Sequence, residues 1–151
     1  MSVRPDPLYH LPAARGGAQR ERMAQLEAAG ICIFCAEHRH EHPQPVEHVG
    51  EHWWVTQNAF PYAGTLAHYL IVAVPHVASF DELPDAAGAE LWALKRMLKA
   101  RLAPLATATV ERSGDMRLNG GSVAHLHTHF VVLDPEPAAT VRFRVSPRVP
   151  Q

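Results

Sequence analysis

Residues Gly120 to Leu133, Gly-Gly-Ser-Val-Ala-His-Leu-His-Thr-His-Phe-Val-Val-Leu, constrain this chain more than any other stretch. His125, His127 and His129 recur at every second position, and the apolar, partly β-branched run Phe130 to Leu133 reads as a strand. Side chains alternate faces along a strand. Three imidazoles spaced this way therefore share one face, roughly 6.6 Å apart, while Leu126, Thr128 and Phe130 take the other. The Gly120-Gly121-Ser122 turn in front permits close backbone approach and supplies N–H donors suited to an anion. On these residues alone, a solvated histidine face or a simple metal site stays open beside a catalytic one.

The rest of the chain bounds that choice. At 151 residues it can build one domain with a core, and two only with difficulty. Fourteen basic and 15 acidic residues nearly cancel, so no broad field points to nucleic acid or a membrane surface. The longest apolar run, around Leu66 to Pro75, is too short to span a bilayer, and Met1 to Pro7 holds no apolar signal core. The expected location is cytoplasmic. The two cysteines, Cys32 and Cys35, form Cys-Ile-Phe-Cys, which in that compartment suits a metal or redox chemistry better than a structural disulfide.

In chain order, residues 1–15 are irregular around Pro5, Pro7 and Pro12, and Ala18 to Ala29 is helical, stopped by Gly30, as a packing or dimer-arm element. His38 to His42, with Pro43, Pro45 and His48 behind it, has no period and reads as a solvated loop. Trp53 to Asn58 reads as a strand and Ala59 to Gly64 as a turn. His68 to His76 reads as a buried central strand, and Leu83 to Leu102 as an amphipathic helix with Asp85 as its N-cap and Pro104 as its stop. Thr107 to Arg112 is another strand, and alternation in Val141 to Val145 suggests an edge strand in a Pro-rich tail. These elements predict an α+β fold: a mostly antiparallel sheet of about five strands, one long helix packed on it, and an extra N-terminal helix. The organisation is an extension over 1–30, a domain over 31–134 and a tail over 135–151.

His125-Leu-His127-Thr-His129-Phe-Val resembles the signature of the histidine triad family, three histidines separated by apolar residues, with Thr128 as a mild departure. Cys32-Ile-Phe-Cys35 looks like the opening of many bacterial members, and His68 to His76 keeps the family's spacing between its two strand histidines. Asn58-Ala-Phe-Pro-Tyr62 is similar to a motif of the dinucleoside polyphosphate phosphorylase branch. The family's Asn-x-Gly falls either on Ser113-Gly114 or on Asn119-Gly120. The resemblance covers about Cys32 to Leu133.

What the resemblance implies is specific. His127 is the nucleophile, with His129 and Ser122 holding phosphate or leaving-group oxygens. His68, Asn58, Gly120, Gly121 and Asn119 are placed around the substrate. A structural zinc sits on Cys32, Cys35, His76 and His125; the local histidines 38, 40, 42 and 48 are the other candidates to complete the thiolate pair's tetrahedral set. The implied activity is a nucleoside-phosphate hydrolase attacking the α-phosphate of a dinucleoside polyphosphate or phosphoramidate through a nucleotidyl-histidine intermediate. A phosphorylase or nucleotidyltransferase with phosphate as acceptor is one alternative. A catalytically weak, zinc-stabilised nucleotide-binding protein is another. His129, in place of a glutamine, argues against the sugar-nucleotide uridylyltransferases. The implied partners are a small nucleotide and a second copy of the chain in a homodimer, with no nucleic acid and no membrane.

Overall fold

A computed structural model describes residues 6–147. Readings that fall on residues 1–5 and 148–151, including Pro5, part of the signal-core reading and the last residues of the tail, lie outside the described residues. One five-stranded antiparallel sheet forms the body, with strand order β1-β2-β3-β5-β4. Its strands are β1 (Val46–Val49), β2 (Trp53–Gln57), β3 (Thr65–Ala73), β4 (Thr107–Glu111) and β5 (His127–Leu133). The helices are α1 (Gly17–Ala29), α2 (Asp85–Leu102) and the single turn α3 (Met116–Asn119). The α+β class expected from the sequence is the one observed. No described helix is long and apolar enough to cross a membrane.

The central pair explains the rest. Most residues of β3 and β5 are buried, because both faces are covered. On one face Trp53, Val55, Tyr69, Ile71, Leu126 and Phe130 pack against Ala87, Leu94 and Leu98 of α2. On the other, Trp54, Leu70 and Val72 pack against Met23 and Leu26 of α1 and against Cys32 to Phe34. Fully burying a side chain such as Leu98 contributes about 1.5–3 kcal/mol. Thr128 falls on the α2 face, where its hydroxyl donates to Glu111 Oε2 at 2.6 Å, so a polar residue is accommodated at a position the signature keeps apolar.

α1 closes as Gly30 predicts. That residue has φ 68°, and the N–H groups of Gly30 and Ile31 return to the Glu27 and Leu26 carbonyls at 3.1 and 2.9 Å. Residues 8–10 then run beside the loop that precedes β5: His10 N–H donates to the Ser122 carbonyl, and Ala124 N–H to that of Leu8, both at 2.8 Å. Glu27 anchors this segment by accepting from Tyr9 N–H at 2.9 Å.

Several expectations need correction. β1 was read as loop: as a short, largely exposed edge strand with an irregular register at Val46/His48, it carries no apolar alternation. Ala36–Glu41 is a 3-10 helix rather than open loop. Asp85 is the first residue of α2, not its cap; Pro84 holds that place without a side-chain hydrogen bond. Val141 to Val145 is not a strand. Its Phe143 ring packs on Tyr62 and His129, and the Arg144 carbonyl accepts from Arg112 Nε at 2.8 Å instead of joining a ladder. Finally, β5 starts at His127, so His125 lies in the bend before it.

Candidate active site

Two histidine-centred constellations meet at the start of β5. The first is a donor cluster. Cys32 and Cys35 come from the turn after α1, His76 from beyond β3, and His125 from the bend before β5; one ligand atom of each lies within 4.8 Å of all the others. The His76 and His125 Nδ1 atoms are 3.1 Å apart, and Cys35 Sγ is 3.2 and 3.7 Å from them. Cys32 Sγ is 3.5 Å from His125 Nδ1. A tetrahedral zinc with Zn–N near 2.0–2.1 Å and Zn–S near 2.3 Å requires edges of about 3.3 Å between nitrogens and about 3.6 Å between nitrogen and sulfur. The four separations given lie close to those edges.

Their protonation states fit as well. His125 Nε2 lies 2.7 Å from the Ala73 carbonyl, which can only accept, so the proton is on Nε2 and the Nδ1 lone pair faces the thiols. Burial pushes both thiols up, Cys35 to about 12, with the neighbouring Cys32 adding to the shift. A pair of thiolates is stable here only beside a cation. The histidines of residues 36–48 do not join the cluster. His42 departs from the solvated-loop reading in another way: its ring packs near Phe34 and Trp54, burial lowers its pKa, and it lines the cavity described below.

The second constellation is His127, His129 and His68. His127 Nδ1 is 2.7 Å from the His125 carbonyl, so this nitrogen donates and Nε2 keeps its lone pair. No protein group among the described residues bonds Nε2. Removal from water, then Arg112 and Arg15, hold the His127 pKa down to about 4 against the opposing carbonyl hydrogen bond, which leaves the ring neutral at pH 7. Behind it His68, 2% exposed, accepts the Tyr62 N–H at Nδ1 (3.1 Å) and carries its proton on Nε2, 2.8 Å from His129 Nδ1. Asn58 Nδ2 lies 3.3 Å from the same His68 nitrogen, and Asn58 Oδ1 accepts from Phe60 N–H at 2.8 Å. His129 therefore carries its proton on Nε2, where Arg112 Nη1 lies 3.3 Å away. Burial depresses His68 to about 3 and His129 well below its ordinary value.

Two cavities open beside His129. One, of about 430 Å³, lies between α1 and the sheet and is lined by Met23, Leu26, Phe34, Phe60 and Leu70, with Asn58, Ser122, His127 and His129 at its polar end. The other, of about 410 Å³, is lined by Arg15, Arg112, Arg142 and Arg144 with Tyr62, Phe143, Gly120, Ser122 and His129. Arg15, Ser122 and His129 stand in both.

Of the residues expected at the site, His127, His129, Ser122 and Asn58 line the first cavity, His68 backs His129, and Gly120 lines the second cavity. Gly121 departs from expectation: its N–H is taken by Asn119 Oδ1 at 3.0 Å, so it offers no free donor. Asn119 Nδ2 in turn donates to the Ser113 carbonyl at 3.2 Å, so its amide is spent on shaping the loop before the triad. Ser113 Oγ bonds Ser79 Oγ at 2.7 Å on the far side of that loop. Arg15, Arg112, Phe34, Tyr62 and the tail residues Arg142 to Arg144 were not anticipated as lining residues. Tyr62, the last residue of Asn58-Ala-Phe-Pro-Tyr62, and Phe34, inside Cys32-Ile-Phe-Cys35, had a local signal; the arginines had none.

No protein-family model and no curated protein matches the sequence. Solved structures do match. A zinc-bound histidine triad family protein from Mycobacterium smegmatis superposes with a TM-score of 0.57 at 20% identity, over 80% of this chain and 86% of that one. A histidine triad family hydrolase from Clostridium thermocellum gives 0.56 at 21%, and a histidine triad protein from Clostridium difficile 0.55 at 21%; each match covers 72% of this chain and 96% of the other. The chain has the fold these proteins share.

Proposed function

We propose that this chain, built on the histidine triad fold, is a nucleoside-phosphate hydrolase that works through a nucleotidyl-His127 intermediate. The observation that carries the reading is the His127 tautomer: Nδ1 is committed to the His125 carbonyl and the ring is held neutral, so an Nε2 lone pair is available at the cavity. A neutral, oriented imidazole is a competent nucleophile toward phosphorus. Nε2 forms a bond to the α-phosphorus, the P–O bond to the leaving group breaks, and its electron pair departs on the leaving oxygen. Water then attacks phosphorus, the P–N bond breaks, Nε2 recovers its lone pair and the water's proton passes to solvent. His129 Nε2–H and the Ser122 hydroxyl would donate to the non-bridging and leaving oxygens. The apolar cavity under α1 takes the nucleoside, with Asn58 at its polar end.

Cys32, Cys35, His76 and His125 would hold a structural zinc. It would tie the N-terminal turn to both central strands and fix the backbone that orients His127. The neighbour from Mycobacterium smegmatis is a zinc-bound protein, which supports the assignment. On the same resemblance, a homodimer is the expected assembly and the cytoplasm the expected location.

Phosphate in place of water as the acceptor is the second reading, supported by Asn58-Ala-Phe-Pro-Tyr62 and its position at the site. Incubation with a dinucleoside polyphosphate, with and without phosphate, tests both. Nucleoside monophosphate marks hydrolysis, and nucleoside diphosphate formed only with phosphate marks phosphorolysis. No product from either marks a binding protein that has lost turnover.

A further inference from the structure

The second cavity is chemically unlike the first. Four arginines line it and no aspartate or glutamate does, in a chain whose formal net charge is −1. None of the four forms an ion pair with a carboxylate among the described residues; the arginines that do are Arg101 and Arg117, elsewhere on the surface. Arg15 lies over the Tyr62 ring, 4.1 Å from its centroid, and donates to the Phe60 carbonyl. Arg112 is oriented by the Arg144 carbonyl. Like charges gathered without a counter-charge repel one another, and an anion between them removes that cost.

The hydrogen bonds give a second, independent sign. Tyr62 N–H, His68, His129 and Arg112 form one chain with a donor at each end. Two neutral imidazoles supply one proton and one lone pair each, so the chain has one donor too many, and Asn58 Nδ2, itself a donor 3.3 Å from His68 Nε2, relieves none of it. Because Tyr62 N–H fixes His68, the surplus falls at the open end, where His129 Nε2–H and Arg112 Nη1–H face each other at 3.3 Å. An anionic oxygen accepting from both satisfies the pair.

We propose that this cavity is a subsite for the polyphosphate of the leaving group, and that the C-terminal segment carrying Arg142 sets the preference for it. The proposal rests on the reading of His127 as nucleophile only in calling the anion a leaving group. The tail is fixed where it is needed: a Cβ at Gly120, which has φ 80°, would come within 2.6 Å of the Arg144 carbonyl, so glycine lets tail and loop close on each other. Phe143 meanwhile packs against Tyr62 and His129. A substrate whose leaving group is a bare amine places no phosphate here, whereas one with two or more further phosphates fills the cavity as charge develops on its leaving oxygen.

Calorimetric titration of the intact, metal-loaded protein with inorganic tripolyphosphate and with orthophosphate tests this. The expected result is at least about tenfold tighter binding of tripolyphosphate. A further loss of order tenfold is expected in Arg142→Ala, with substantial recovery in Arg142→Lys, since charge-assisted contacts are the strong ones. The ratio of kcat/KM for a dinucleoside tetraphosphate over a phosphoramidate of the same nucleoside should fall by a similar factor in Arg142→Ala. Arg142 is an exposed tail residue, so the variant does not threaten the core. Unchanged tripolyphosphate affinity in Arg142→Ala overturns the subsite, and so does equal affinity for orthophosphate, which fits a single-phosphate acceptor pocket. Failure of the His127 reading looks different: neither substrate is turned over by the wild type, while the tripolyphosphate titrations still respond to Arg142.

Discussion

The carbonyl oxygen of His125 lies 2.7 Å from His127 Nδ1, while the ring of the same His125 turns its own Nδ1 to within 3.5 Å of Cys32 Sγ. One residue thus faces the donor cluster with its side chain and sets the tautomer of the proposed nucleophile with its backbone. Anything that loosens the cluster also frees the acceptor that keeps the His127 lone pair on Nε2.

Zinc removal is therefore expected to act twice. A chelator strong enough to strip the protein should lower its thermal midpoint, since ligands from three segments hold the Cys32–Cys35 turn to the sheet. Turnover should fall with it although no step of the proposed chemistry runs through the metal. His76→Ala, which removes an exposed ligand without opening the core, should cut the zinc content measured by elemental analysis. Full zinc occupancy in that variant would move the site to the histidines of residues 36–48.

His127→Ala should abolish the covalent step, with a loss in turnover of roughly 10⁴–10⁶-fold, as for nucleophiles elsewhere. His129→Ala should cost less, about 10²–10³-fold, because it removes a charge-stabilising donor. Intact-mass analysis after a rapid quench without acid should find a nucleotidyl adduct on the wild type and none on His127→Ala. An active His127→Ala enzyme would exclude the mechanism.

Acid should destabilise the fold earlier than a carboxylate-driven transition does. His68 is 2% exposed and its pKa is pushed to about 3 by burial, with Arg15 and His127 adding to the shift. In the unfolded chain it titrates near the ordinary 6.5. The folded state binds fewer protons, so its contribution is complete above that value and is lost as pH falls toward the folded pKa. Each pH unit below 6.5 then costs up to about 1.4 kcal/mol at this one residue. Urea midpoints that stay flat between neutral pH and the carboxylate range would show that His68 is not buried as a neutral ring.

Much of this site was legible because its signals are local. The period of two in His125 to His129, the Cys32–Cys35 spacing and the apolar run around His68 each announce themselves within ten residues. The metal set was reachable only through family resemblance, since nothing local says that His76 and His125 converge on the cysteines. The edge strand Val46–Val49 was missed because an exposed strand needs no alternation. The arginines were invisible for a related reason. Arg15, Arg112 and Arg142 lie in three separate segments that carry no site motif, and only the tertiary fold gathers them around one cavity.

His68 gives the sharpest test of the histidine relay. It holds His129 Nδ1 at 2.8 Å and satisfies Tyr62 N–H at 3.1 Å, so one side chain fixes both the ring of the proposed catalytic donor and the turn after Asn58. His68→Phe keeps the bulk of the ring and removes both nitrogens. Two buried polar groups then lose their partner, at about 1–3 kcal/mol each, and His129 is free to place its proton on either nitrogen. Stability should fall by a few kcal/mol by that count, and kcat by roughly 10–100-fold, on the scale of losing the partner that orients a ligand, with the nucleotidyl adduct still detectable. His68→Gln, whose amide both donates and accepts, should recover part of the activity. Equal kcat in the phenylalanine and glutamine variants would show that His68 acts only by filling space.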